Sequence, residues 1–516
     1  MTVAPVRPLL PGLMLLAFVA SAPAEDWPQF GRDKSRNAVS PEKNPPTWWQ
    51  YEEKENGKVV KTQKNIRWAA ELNQMGGMGQ IYGDPVIVDG LIWVGTNETI
   101  SLGEEKYEFA ASLVCLDEKS GKEQYRRRAK PLYDDTEGLR WLGHSSSPHI
   151  EGDTLWVVNN RAEVICMDIG PLKKRTGKPR DLWTLDMRKE LGVLPRAARH
   201  GNRRCSIAAH KDWIYVITGN GVVWGREGDI IADKAPSLLC LEKTTGKIVW
   251  QDNSPGKNII FGQFASPTVI EVGGQTQVVA PQGDGWVRSF NAATGKLLWK
   301  FNTNPHDAIL PQGTGDGTAN FLPATAVFHN GLLYIGNGRD AGQVSGDAFL
   351  YCINPDKTGD ISPEFSDGPE KGKPNPNSGM VWRYGERRAR DQWNRDSFNR
   401  TLSNVVIDKG LLIAADASGH VYCLDARTGR VYWKHDTKSQ IENSPLIVDG
   451  KVFVGAVGDD MWVFELAREK KLVSQIIGMG TQCSPVFANG VLYASDSQRL
   501  YAIAGNEKPP KQESKP

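Results

Sequence analysis

This 516-residue chain lacks most of the signals of a metal centre, a nucleic-acid partner or a membrane span. None of its seven cysteines are adjacent and none form Cys-x-x-Cys, so the common zinc spacing has no support. Charge of one sign is missing as well. The 62 lysines and arginines face 60 acidic residues, a net charge of +2, which is too balanced to favour nucleic acid or an anionic membrane surface. Beyond the first twenty residues no run is apolar enough to cross a bilayer.

The one apolar run at the N-terminus has a different meaning. Arg7 precedes Leu9 to Val19, which is too short to span a membrane, and Ala22-Pro23-Ala24 supplies small residues for cleavage. This pattern predicts a signal peptide over 1–24 with Glu25 as the first mature residue. No cysteine follows at once, so lipid attachment there is not expected. The mature chain is expected to be extracytoplasmic, periplasmic or secreted. Export would permit disulfides, but Cys115, Cys166, Cys240, Cys352 and Cys423 hold one slot in successive repeats, too far apart to bridge. Cys205 and Cys483 open a second kind of strand. All seven read as small buried apolar residues.

Repetition is what the chain has in quantity. Val421 to Trp433 reads as a strand, a turn Asp425-Ala426-Arg427-Thr428-Gly429 and a second strand ending on tryptophan. Gly429 suits the positive φ of such a turn. Copies end at Tyr125, Trp183, Trp250, Trp299 and Trp382, and a degenerate copy places Leu472 at the ring position. Each copy is preceded by two strands joined by a tight turn: Asp84–Gly95, Ser147–Val158, Ser206–Thr218, Ser266–Ala280, Pro323–Gly336, Ser403–Ala415, Ser444–Gly455 and Ser484–Ala494. The eighth has only a third strand, near Leu500, while Lys64 to Ala70 is a lone fourth strand carrying Trp68. The expected fold is all-β: an eight-bladed β-propeller of four-stranded antiparallel blades, the last closed by N- and C-terminal strands. The expected division is signal peptide 1–24, N-terminal extension 25–63, propeller 64–505 and a disordered tail 506–516. Each ring on an outermost strand should lie against the next blade's hairpin.

The Thr-Gly-(Lys/Arg)-x-x-Trp hairpins resemble the tryptophan-docking repeats of pyrroloquinoline-quinone-type propellers, over nearly the whole mature chain. Asp26-Trp27 with Gly31-Arg32 and Ser40 resembles the N-terminal signature of bacterial quinoprotein dehydrogenases, with Val39 departing from an expected aromatic. Two branches are implied: quinoprotein alcohol dehydrogenases, and a non-enzymatic BamB-like branch that supports outer-membrane barrel assembly. The enzyme branch implies pyrroloquinoline quinone (PQQ), calcium on Glu, Asn and Asp, and a vicinal Cys-Cys disulfide. The last is absent here.

In a propeller, loops between blades and between second and third strands surround a funnel mouth. They hold Arg140, His144, Arg161, Arg203, Gln263, Asp284, Trp286, Arg339 and Asp340, the candidate cofactor-binding residues. Asp284 in Gly-Asp-Gly also reads as a turn residue, and the hairpin aspartates Asp117, Asp168 and Asp425 read as structural. No catalytic residue or metal ligand is singled out. Insertions at 304–320, 356–380 and 385–400 interrupt the repeat and are candidates for function or for solvated decoration. The expected function is that of a BamB-like binding or scaffold protein, monomeric, with protein partners and no nucleic acid. The alternative is a PQQ- and calcium-dependent dehydrogenase acting on an alcohol or sugar.

Overall fold

The computed structural model describes Met1 and residues 25–56, 58–72, 81, 83–103, 106–130, 143–195, 205–222, 232–310, 317–339, 346–388, 397–458, 460–480 and 483–508. The expected signal peptide, apart from Met1, and the end of the tail lie outside the described residues. Eight four-stranded antiparallel sheets follow one another in chain order. Blades 1 to 7 occupy residues 86–129, 149–186, 208–252, 268–302, 327–386, 406–436 and 446–476. Blade 8 takes residues 486–503 and, as its outermost strand, Ile66–Glu71. Ala502 lies opposite Trp68, so the ring closes with a strand from each end of the chain.

The repeated cysteine has a packing reason. On the third strand of every blade but the seventh, a small residue faces the aromatic of the fourth: Cys115 faces Tyr125, Cys166 faces Trp183, and Cys240 faces Trp250. Cys352 faces Trp382 and Cys423 faces Trp433. Ser289 and Ala502 take the same place opposite Trp299 and Trp68. A register shift follows each pair. A short side chain leaves room for the cross-strand ring, and the bulge turns that ring toward the next blade. All seven cysteines are free and buried. Burial pushes the Cys205, Cys240, Cys352 and Cys423 thiols up to about 12.

Five of the rings bond to the neighbouring blade. The indole N–H groups of Trp68, Trp183, Trp250, Trp382 and Trp433 donate to the carbonyls of Glu118, Lys243, Ala292, Ala426 and Ala467, at 2.9–3.0 Å. Two expectations need correction. In blade 7 the residue facing Val463 is Ser474, and Leu472 lies half exposed opposite Phe464. Trp299 is fully buried but donates to Gln277 Oε1 of its own blade. The turn it was expected to meet has instead become a fifth strand, Gly359–Asp360, running parallel beside Leu297–Asn302. The insertion at 356–380 therefore covers the edge of blade 4.

The inner rim is a closed belt of hydrogen bonds, with one residue from each blade's entry. Ser147 N–H donates to Ser206 Oγ, Ser206 N–H to Ser266 Oγ, and Ser266 N–H to Thr325 Oγ1. Thr325 N–H donates to Asn404 Oδ1, Asn404 N–H to Ser444 Oγ, and Ser444 N–H to Ser484 Oγ. Ser484 N–H reaches Asp84 Oδ1, and Ser147 Oγ donates to Asp84 O. The belt thus uses Thr325 and Asn404 where the repeat pattern had placed the starts of their units at Pro323 and Ser403. These links satisfy backbone groups that the sheets leave open.

The stretch 26–43 is not a loose leader to the propeller. It threads the axial end of the ring and meets every blade. Trp27 pairs with Ile87 of blade 1, and Pro28 O accepts from Ile150 of blade 2. Buried Arg36 bonds the carbonyls of Ile207 and Pro267, which lead into blades 3 and 4. Ser35 O accepts from Phe328, Asn37 exchanges two bonds with Ile407, and Val39–Ser40 runs parallel beside Leu446–Val448. Glu42 accepts from Asn489 N and Gly490 N of blade 8. The strap touches Asp89, Asp449 and Asn489, in the turns between first and second strands. It therefore covers that end of the axis, and the loop face is the opposite end.

Candidate functional site

Six of the nine funnel residues fall among the described residues; Arg140, Arg203 and Asp340 lie outside them. Asp284 occupies the turn before the third strand of blade 4, and Arg288 points back along that strand to meet it. The guanidinium grips both carboxylate oxygens, at 2.9 and 2.7 Å, and Asp284 Oδ1 also caps Trp286 N–H. Both partners of the pair are buried. This is the geometry of a structural ion pair. Trp286 lies beneath two cations, Lys300 at 4.6 Å and Arg288 at 5.5 Å from its ring centre. Asp284 and Trp286 are thus brought together by one turn.

The other four stand on different blades. Arg339, buried in blade 5, binds the carbonyls of Gly317 and Ala319. Arg161 follows Asn159 in a tight turn of blade 2, with its guanidinium 3.8 Å from Glu163. His144 is buried at the link from blade 1 to blade 2. Desolvation, with Arg127 nearby, pushes its imidazole down to about 4. Gln263 is buried at the link from blade 3 to blade 4; its carbonyl accepts from Cys205 Sγ while its side-chain amide has no hydrogen-bond partner among the described residues.

Sequence reasoning missed three carboxylates on this face, Glu98, Asp347 and Asp416. The second and third strands of blade 1 run far past the expected Gly95 and Val114, as Leu91–Gly103 and Lys106–Asp117. Buried Glu98 anchors the base of this ribbon to Arg126 at 2.5 Å, Arg128 at 3.1 Å and the Ser112 hydroxyl. At the start of the 385–400 insertion, Arg387 Nε and Arg388 N both bond Asp347. Arg388 also holds Asn399 and the Phe398 carbonyl. Asp416, wholly buried in blade 6, accepts from Asn399, Ser418 and Tyr422. Burial drives its pKa upward, but hydrogen bonds from His420, Ser418 and Tyr422 prevail and hold it below the usual carboxylate range. Local repeats carry no trace of these partners, most of which lie 10 to 41 residues apart.

A quinone site with calcium needs converging carboxylate and amide oxygens near an aromatic shelf. Asp284 is taken by Arg288 and Asp347 by Arg387, and no three His, Cys, Asp or Glu side chains converge among the described residues. The described residues do not fit that donor set. What they assemble is a polar face whose charged groups are held by partners of the same protein.

Comparison with known proteins agrees with the repeat. The family model described as outer membrane protein assembly factor BamB matches residues 169–346 and 377–507, more than half of the chain. The quinohemoprotein alcohol dehydrogenase ADH IIB of Pseudomonas putida is 25% identical over 228 residues, 38% of this chain and 30% of that protein. The chain spans under a third of the length of each of the six curated relatives it matches. Among solved structures, Saccharomyces cerevisiae Sqt1 superposes with a TM-score of 0.51 at 11% identity, over 85% of this chain and 99% of that one. BamB from Moraxella catarrhalis gives 0.49 at 13% identity, with the same coverage. The extent of the family match, on eight closed blades, places the chain in the PQQ-like β-propeller repeat family, whose matching model is that of the assembly factor BamB.

Proposed function

We propose that this protein is an exported, BamB-like scaffold that binds other proteins through its loop face. The observation that carries the reading is the two-point pair between Asp284 and Arg288. The one acidic funnel candidate among the described residues is already neutralised inside its own blade, where a calcium-quinone site would need it free. The strap supports the same reading, because it covers the opposite end of the axis and leaves the loop face for partners. No helix among the described residues is long and apolar enough to cross a membrane.

A second reading, a PQQ- and calcium-dependent dehydrogenase of alcohols or sugars, is favoured by the stretch similar to ADH IIB. One experiment separates the two. The purified protein is titrated with PQQ and calcium by calorimetry and assayed for dye-linked alcohol oxidation. The scaffold reading expects no saturable heat and no turnover. Tight quinone binding with turnover overturns it.

A further inference from the structure

Glu42 is a buried carboxylate whose partners among the described residues are all backbone N–H groups. It is 5% exposed. Its oxygens accept from Asn489 N at 2.9 Å, Gly490 N at 2.7 Å and Glu25 N at 3.4 Å. Among the described residues it takes part in no salt bridge, and a desolvated carboxylate without a cation is costly. The third donor is the informative one, because Glu25 follows the small-residue run Ala22-Pro23-Ala24.

Its position is held from several sides. Trp27 pairs with Ile87, and Asp26 caps Asp89 N and meets Asn489 Nδ2. The Glu25 side chain meets Arg32 at 2.5 Å. The nitrogen of residue 25 is thereby pinned beside Glu42, and its own carboxylate is already satisfied by Arg32.

We propose that removal of the leader after Ala24 creates the missing cation. A leader peptidase and one water hydrolyse the Ala24–Glu25 amide. The C–N bond breaks, hydroxyl adds to the Ala24 carbonyl carbon, and the nitrogen takes the proton. Protonated at neutral pH, the new α-ammonium of Glu25 pairs with Glu42 and fastens the strap to blade 8. Processing thus completes a charge pair at the strap end of the axis, and the uncleaved precursor is the looser form. The other charged groups facing the new terminus are Asp26, the Glu25–Arg32 pair and Glu118, which also bonds Asn489.

The test begins with the intact mass of the exported protein, which is expected to match a chain starting at Glu25; a start elsewhere overturns the proposal. Two full-length mature chains are then prepared by tag removal, one starting at Glu25 and one retaining Ala24. The Glu25 chain is expected to melt about 2–4 °C higher. Glu42→Gln is introduced into both, because that change alone disturbs the bonds from the backbone donors Asn489 and Gly490 in either chain. It is expected to lower the melting temperature more in the Glu25 chain than in the Ala24 chain. Equal melting of the two chains, or equal losses on Glu42→Gln, overturns the proposal.

Discussion

Arg36 donates Nε and Nη2 to the carbonyl oxygen of Pro267, at 3.0 and 2.9 Å, across 231 residues of sequence. The same guanidinium also holds Ile207 O and Phe30 O. It is wholly buried, and desolvation lowers its pKa from the ordinary value to about 10. One side chain of the strap therefore joins the entries to blades 3 and 4 through neutral carbonyls.

Replacing Arg36 removes donors from three buried carbonyls at once. Arg36→Met is expected to destabilise the fold by roughly 3 kcal/mol or more, since each stranded acceptor loses its partner. Arg36→Lys is expected to recover less than half of that, because one ammonium does not reproduce a planar fork of five donors. Urea denaturation of the three proteins checks the order.

The turn glycines divide into two kinds, and an alanine at each separates them. Gly429 has φ of 73°, and a Cβ there would lie 2.7 Å from the Trp382 ring. Gly450 has φ of 71°, with nothing within 4 Å of the same position. Gly450→Ala is expected to cost about 1–2 kcal/mol for the left-handed backbone. Gly429→Ala is expected to cost about 1–3 kcal/mol more, because the ring must shift. Equal losses in thermal unfolding contradict the ring-on-turn packing.

Trp299 is buried, with Gly359–Asp360 paired beside its strand, and its indole N–H reaches Gln277. Trp299→Ala is expected to cost about 3–5 kcal/mol without changing any binding. Gln277 also accepts from Ser289 Oγ, so Trp299→Phe leaves that bond in place and is expected to cost much less. Denaturant midpoints of both variants, with partner binding as the control, test this.

His144 makes stability depend on pH. Its imidazole is held down to about 4 by burial and by Arg127, against roughly 6.5 in the unfolded chain. Between those values the unfolded state binds more protons, so stability rises with pH across that window. The contribution is fully present above about 6.5 and is lost as pH falls through about 4, an effect on the order of 3 kcal/mol. His144→Gln is expected to flatten the unfolding free energy over pH 4–6.5. An unchanged slope contradicts the assignment.

The blades were legible because their causes are local. The Thr-Gly turn, the ring that ends each hairpin and the cysteine slot recur within short spans, and each has a backbone or packing reason visible in the residues themselves. The slot's meaning was less plain. Small size was readable, but only the register Cys423 opposite Trp433 shows that the size serves a cross-strand ring. Trp299 and Leu472 departed from the pattern where an insertion and a degenerate turn altered the edge.

The candidate site was legible only as an inventory. Asp284 was a turn residue or a ligand until Arg288 was seen to grip both its oxygens. Buried Asp416 and Glu98 carried no signal, because a charge becomes structural through partners supplied by other strands and loops.

By itself the sequence determined the repeat, the number of blades and the closure by both ends, since strand alternation and turn chemistry act over a few residues. Only the tertiary structure decided that residues 26–43 are a strap through the axis. Contacts such as Arg36 with Pro267 and Glu42 with Gly490 join segments up to 448 residues apart, and no local preference encodes a hydrogen bond whose partner arrives only when the ring has closed.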